Sequence, residues 1–115
     1  MTGPLPDCPV EVTLLLIGNK WKVLILRELM AGTKRFSELK RSIAGVTQKM
    51  LTQQLRDMEE TGLIARKVYP VVPPKVEYSL TELGQSLRPV LDALQTWGEN
   101  FKRNYREDPE DRRYW

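Results

Sequence analysis

The stretch from Val46 to Ile64 constrains this chain more than any other, because it carries the two-faced pattern of a helix with both ends marked. At 100° per residue, Leu51, Leu55 and Met58 fall within about 60° of one another and form an apolar stripe. Gln48, Lys49, Thr52, Gln53 and Arg56 occupy a polar arc of roughly 140° on the other side. Thr47 is placed to cap the N-terminus and Gly62 to stop the C-terminus. The stripe is built to pack. The arc holds the amides, hydroxyl and cations that reach base edges and phosphates in a DNA major groove, although on an isolated helix the same arc would read as a solvated face.

The segment after the helix decides between those readings. Leu63 to Tyr69 and Lys75 to Leu80 are two short β-rich runs separated by the tip Pro70-Val71-Val72-Pro73-Pro74, the pattern of a hairpin with a long loop. A polar-faced helix running directly into a hairpin is the order of a winged helix-turn-helix, mainly α with a small β-hairpin wing. Arg66, Lys67 and Lys75 place positive charge on that wing, and the prolines stiffen its tip and reduce the entropy lost if it enters a minor groove.

Several short motifs then occur in a fixed order: Cys8-Pro9-Val10-Glu11, Leu16-Ile17-Gly18-Asn19-Lys20-Trp21, Arg35-Phe36-Ser37-Glu38-Leu39, Lys49-Met50-Leu51-Thr52, Gly62-Leu63-Ile64 and Val72-Pro73-Pro74-Lys75-Val76-Glu77-Tyr78. Together they closely resemble the HxlR family of bacterial winged-helix transcription regulators, from about Cys8 to Trp97. Two positions depart from the family pattern. Asn19 stands where a second glycine is expected, with asparagine tolerating the same left-handed turn, and Thr47 stands where serine is common. The resemblance implies a two-fold dimer held by the terminal helices, presenting two reading helices to a palindromic operator in double-stranded DNA. On this reading Gln48, Lys49, Thr52, Gln53 and Arg56 enter the major groove behind the Thr47 cap, Arg35 lies on the backbone, and Lys75 sits beside the adjacent minor groove.

Charge distribution agrees. The net charge of +3 hides an asymmetry: residues 18 to 56 hold nine cations (Lys20, Lys22, Arg27, Lys34, Arg35, Lys40, Arg41, Lys49, Arg56) against Glu28 and Glu38, a surplus of seven. Asp57, Glu59 and Glu60 gather at the end of the reading helix that should face away from phosphate. At 115 residues the chain is expected to form a single domain, 1–115, small enough for pairing with a second copy to help its stability. It has no apolar run long enough to cross a membrane and no basic-then-apolar N-terminus, so a cytoplasmic location without membrane association is expected.

Periodicity predicts helices at about 9–17, 20–31, 36–43 and 48–60, the hairpin at 64–80 and a long helix at 82–103, with 104–115 a surface tail. Trp21, Leu24, Ile25, Leu29, Phe36, Leu39 and Ile43 have the spacing of inward faces. Gly32 ends the second helix and Gly45 makes the turn before the reading helix. In the final helix Leu83, Leu87, Val90, Leu94, Trp97 and Phe101 are spaced 4, 3, 4, 3, 4, a heptad seam longer than so small a core can cover. Its first turns are expected to fold back on the domain. From Leu91 onward, Leu91, Leu94, Trp97 and Phe101 are assigned to a second subunit, opposite Val12, Leu15 and Leu16 of the first helix, and Pro89 should bend the helix.

Catalytic readings fail on inventory. With no histidine and one cysteine, neither a Ser-His-Asp triad nor a zinc site can be assembled, and there is no glycine-rich phosphate loop. No enzyme activity, metal or cofactor is expected. Cys8 is the one residue suited to covalent chemistry. At the N-cap of the first helix, with Pro9 at the first helical position, the helix dipole stabilises its thiolate while Asp7 and Glu11 oppose it. Two readings stand: a half-buried structural cap, or a sensor of oxidants or electrophiles, as the resemblance implies for the matching cysteine. A lone cysteine forms no internal disulfide, so sensing would require alkylation, a mixed thiol or a bond to a partner subunit. Regulation by a small ligand at the dimer interface and a winged-helix module that binds protein are the alternatives. A repressor is the simpler sign of regulation for a small dimer with no activation domain.

Overall fold

The computed structural model describes residues 3–105. Its elements run in the order α1 (Pro9–Ile17), α2 (Lys20–Met30), β1 (Lys34–Arg35), α3 (Phe36–Ser42), α4 (Gln48–Glu60), β2 (Ile64–Tyr69), β3 (Lys75–Leu80), α5 (Glu82–Gln85) and α6 (Arg88–Asn104). The architecture is a winged helix-turn-helix: α2, α3 and α4 enclose the core, and β2 and β3 form the wing.

Helix α4 begins and ends where its sequence directs. The Thr47 hydroxyl accepts from the Met50 amide at 3.1 Å and caps the N-terminus. At the other end Gly62 has φ +81°. There the Gly62 amide donates to the Glu59 carbonyl at 3.1 Å and the Leu63 amide to the Met58 carbonyl at 2.9 Å, the paired bonds of a Schellman stop. The chain leaves this stop already extended, and Ile64 starts the wing. Leu51, Leu55 and Met58 are all buried, as the stripe requires.

They meet Ile25, Leu26 and Leu29 of α2, Leu39 of α3, Ile43 and Val46 from the α3–α4 turn, Ile17 of α1, and Leu63 and Ile64. Of the expected inward residues, Ile25, Leu29, Leu39 and Ile43 are fully enclosed, whereas Trp21, Leu24 and Phe36 pack on the core half-buried. Burying this many leucine and isoleucine side chains, at about 1.5–3 kcal/mol each, is the main force holding the domain together.

Three expectations from the sequence are corrected and one is extended. Asn19 does not take a left-handed turn. It is extended (φ −116°, ψ 157°) and caps α2, its side chain accepting from the Lys22 amide at 2.9 Å. The expected hairpin wing is present, and β1 adds to it in the order β1-β3-β2, with Lys34 opposite Tyr78 and Arg35 opposite Glu77. The helix expected over 82–103 is two helices interrupted at Ser86 and Leu87. Pro89 therefore bends nothing: it occupies the first turn of α6, where its missing N–H would have had no partner. The tail expected at 104–115 starts later, since Asn104 closes α6, and its remainder from 106 onward lies outside the described residues.

Gly84 is required by close approach. It is buried in α5, and a Cβ there would run into the Leu63 carbonyl. The Thr81 hydroxyl fixes the same junction, donating to the Gly62 carbonyl oxygen and accepting from the Gly84 amide at 3.1 Å. By these bonds the end of α4, the end of the wing and the start of α5 form one joint.

Candidate nucleic-acid interface

Gln48, Lys49, Thr52, Gln53 and Arg56 line one shallow concavity on the exposed side of α4. All but the partly buried Thr52 are exposed, and Thr52 turns its hydroxyl back to the Gln48 carbonyl at 2.8 Å. Thr47 is exposed, but its hydroxyl is used in the cap. Gln53 is oriented by its neighbour one turn on: its Nε2 donates to Asp57 Oδ1 at 3.0 Å, and Asp57 Oδ2 lies 3.9 Å from Lys22 Nζ on α2. A carboxylate only accepts hydrogen bonds, so this pairing fixes which end of the Gln53 amide points at Asp57.

The acidic residues at the end of α4 divide. Asp57 is held toward Lys22, and Glu59 Oε2 pairs with Arg66 Nε of the wing at 3.5 Å. Glu60 is exposed and shares a second concavity with Arg56, Arg66 and Tyr78. Tyr78 is half-buried there, and burial raises its hydroxyl pKa above 10.0 against the opposing pull of Arg66. The sequence marks Arg66 only as a wing cation and Asp57 only as a residue facing away from phosphate, although the Gln53–Asp57 spacing is that of facing side chains on a helix.

On the wing, Lys75 lies directly opposite Tyr69, and Lys67 directly opposite Glu77. Lys67 Nζ and Lys75 Nζ each stand 4.8 Å from the centroid of the Tyr69 ring. Lys75 Nζ is also 3.7 Å from Glu77 Oε2. The Tyr69 hydroxyl, with Lys75 and Arg35 adding to it, holds the Glu77 pKa below 4.5 against the opposing effect of desolvation. Arg35 is exposed at the N-cap of α3, where its amide donates to Glu38 Oε1 at 2.9 Å. Arg35, the polar arc of α4 and Lys75 are thus carried by three elements around one core.

The residues assigned to a partner subunit separate into two groups. Leu16 and Leu91 are half-buried against the chain's own core. Val12 is half-buried, Leu15 is exposed, and Leu94 and Trp97 are 50% and 61% exposed. The Phe101 ring stacks on Trp97 at 5.5 Å and on Tyr105 at 6.0 Å. Leu14 and Val10, not singled out in the sequence, are 58% and 66% exposed on α1. Leu14, Ile17, Val23, Leu24, Val90 and Leu94 line a mostly apolar groove between α1, α2 and α6. No residue of the 17-residue α6 is buried.

Cys8 is exposed at the N-cap of α1, not half-buried, and its side chain makes no capping hydrogen bond. No group of metal-ligating side chains occurs among the described residues, and no described helix is long and apolar enough to cross a membrane.

Known proteins share this arrangement. An uncharacterized HTH-type transcriptional regulator of Bacillus subtilis, YkvN, is 60% identical over 92 residues, covering 80% of this chain and 78% of its own. The crystal structure of the HTH-type regulator YtcD superposes with a TM-score of 0.78 at 58% identity, covering 81% of this chain and 95% of that one. The redox regulator HypR in its oxidized form superposes with a TM-score of 0.77 at 50% identity, covering 81% and 96%. The family model for the HxlR-like helix-turn-helix matches residues 16–106, and the chain accordingly belongs to that family of transcription regulators.

Proposed function

We propose that this chain is a cytoplasmic, homodimeric repressor that binds a palindromic operator through α4 and the wing and is switched by modification of Cys8. The observation that carries the DNA reading is the convergence of Gln48, Lys49, Thr52, Gln53 and Arg56 on one exposed face of a helix capped at both ends. Arg35 at one side and Lys75 at the other extend that face toward the phosphate backbones. The whole chain acts as a single domain in which α6 is the dimerisation helix. Support for pairing comes from the apolar groove between α1, α2 and α6 and from the exposed Leu14, Leu15 and Leu94. A second copy covering that surface places two reading helices on one face of a duplex.

The switch reading rests on Cys8 being exposed at the start of α1, the helix that also lines the groove, and on the kinship with a redox regulator. An oxidant or electrophile is then the effector. A modification there displaces α1 and changes the spacing of two reading helices that must match successive turns of the groove.

The test is footprinting and fluorescence anisotropy on duplexes from the chain's own genomic neighbourhood. A two-fold symmetric footprint whose affinity falls steeply with salt is expected. Binding to no duplex at low salt would overturn the reading in favour of a protein-binding module.

A further inference from the structure

Glu77 is the single carboxylate in the three strands. It stands on the face of the wing that carries Arg35, Lys67 and Lys75, with Arg35 opposite it on one side and Lys67 on the other. Beside DNA a carboxylate repels phosphate, so charge alone would favour its absence. Its contacts give it another role. Lys75 Nζ lies 3.7 Å from its Oε2, the Tyr69 hydroxyl favours its charged form, and the Tyr69 ring carries Lys67 and Lys75 at 4.8 Å each. Glu77, Tyr69 and Lys75 therefore close a circuit that holds a long cationic side chain in one place. Left without this circuit, three like charges on one face of the sheet would repel, and each would be ordered only on meeting DNA.

We propose that Glu77 is a positioning residue of the DNA-binding wing, which acts through Tyr69 and Lys75 to preorder the wing cations for the operator backbone. This inference rests on the DNA-binding reading above. It also predicts a sign opposite to that of simple electrostatics, and the test uses that opposition.

The experiment measures affinity of the full chain for operator and for random duplex across a range of salt, for wild type, Glu77→Gln, Tyr69→Phe and Lys75→Ala, with melting curves as a folding control. Glu77→Gln keeps the shape and adds one unit of positive charge. A positioning role weakens binding about three- to tenfold on operator and random duplex alike, the size of one lost hydrogen bond and opposite to the tightening that the gain in net charge alone would give. Tyr69→Phe keeps both the ring and the net charge and should lower operator affinity in the same direction. In the Lys75→Ala background the Glu77→Gln loss should vanish, because the residue through which it acts is gone.

Equal tightening of Glu77→Gln on both duplexes, with a salt slope steeper by about one, would make Glu77 a plain counter-charge and overturn the proposal. Unchanged operator affinity in folded Tyr69→Phe would overturn it as well, and that variant carries the test if Glu77→Gln does not fold. Wild type that binds neither duplex would instead overturn the regulator reading itself, and the inference with it.

Discussion

The Asn19 side chain joins the start of α2 to the middle of the reading helix, its Nδ2 donating to Gln54 Oε1 at 3.0 Å while its Oδ1 accepts from the Lys22 amide at 2.9 Å. One short side chain thus caps one helix and braces another. It comes directly after Gly18, where α1 ends, so the link also connects the apolar groove to α4. Asn19→Ala removes both bonds and should cost about 1–2 kcal/mol, read as a lower urea midpoint at unchanged m. Asn19→Gly, which provides neither bond but suits the cap backbone, should recover part of the cap contribution and none of the brace.

Arg56 sits in the same concavity as Gln48, Lys49, Thr52 and Gln53. If it reads a guanine, Arg56→Ala should weaken operator binding by about 1–3 kcal/mol and relax the preference at that base pair. Lys75→Ala should instead weaken all sequences alike and flatten the salt dependence. Operator affinity unchanged in a folded Gln53→Ala, Arg56→Ala double variant would remove α4 from the reading role.

Leu94 lines the groove and is 50% exposed in the single chain. Covered by a second copy, a carboxylate there would be buried without a partner, so Leu94→Glu should sediment as a monomer and lose operator binding. Continued dimerisation of that variant would place the contact elsewhere on the chain.

Diamide takes two electrons and two protons from a pair of thiols, and with one cysteine per chain the resulting disulfide would join two subunits or one subunit and a small thiol. Operator affinity should fall on treatment of the wild type, and Cys8→Ser should bind as tightly as untreated protein and ignore the oxidant. Equal affinities in all four samples would remove Cys8 from the switch and point to a ligand bound in the groove.

The Glu77 carboxyl should titrate below 4.5 when followed by NMR, chiefly because of the Tyr69 hydroxyl. Since the shift is downward, its contribution is present above the unfolded value and disappears as pH falls through the folded one. Tyr69→Phe should move the titration back up toward 4.5.

The sequence made α4, its caps and the wing legible because their signals are local: Thr47, Gly62 and the apolar stripe act within a few residues of one another. β1 is silent in the sequence because two residues, Lys34 and Arg35, carry no strand pattern of their own and are ordered by distant partners, Tyr78 and Glu77. The interruption at Ser86 and Leu87 is hidden because the heptad spacing runs through it undisturbed, Leu87 in the break and Val90 beyond it both packing on the chain's own core. Leu16 and Leu91 read as partner contacts for the same reason, since periodicity identifies an apolar face and not what covers it. The circuit of Tyr69, Lys75 and Glu77 depends on strand register, which residue types alone do not give.

The break between α5 and α6 bears on how such regulators diversify. Thr81 and Gly84 lock α5 to the end of the reading helix, so the direction in which α6 departs is set at its first turn, by Leu87 and Pro89. In a pair joined through α6, that departure angle works like the hinge setting of a caliper: it determines the gap between the two reading helices, whereas the length of α6 determines only how firmly the jaws are held. Residues in the hinge would then tune half-site spacing, and residues farther along the arm would tune dimer strength, leaving the two properties free to change separately.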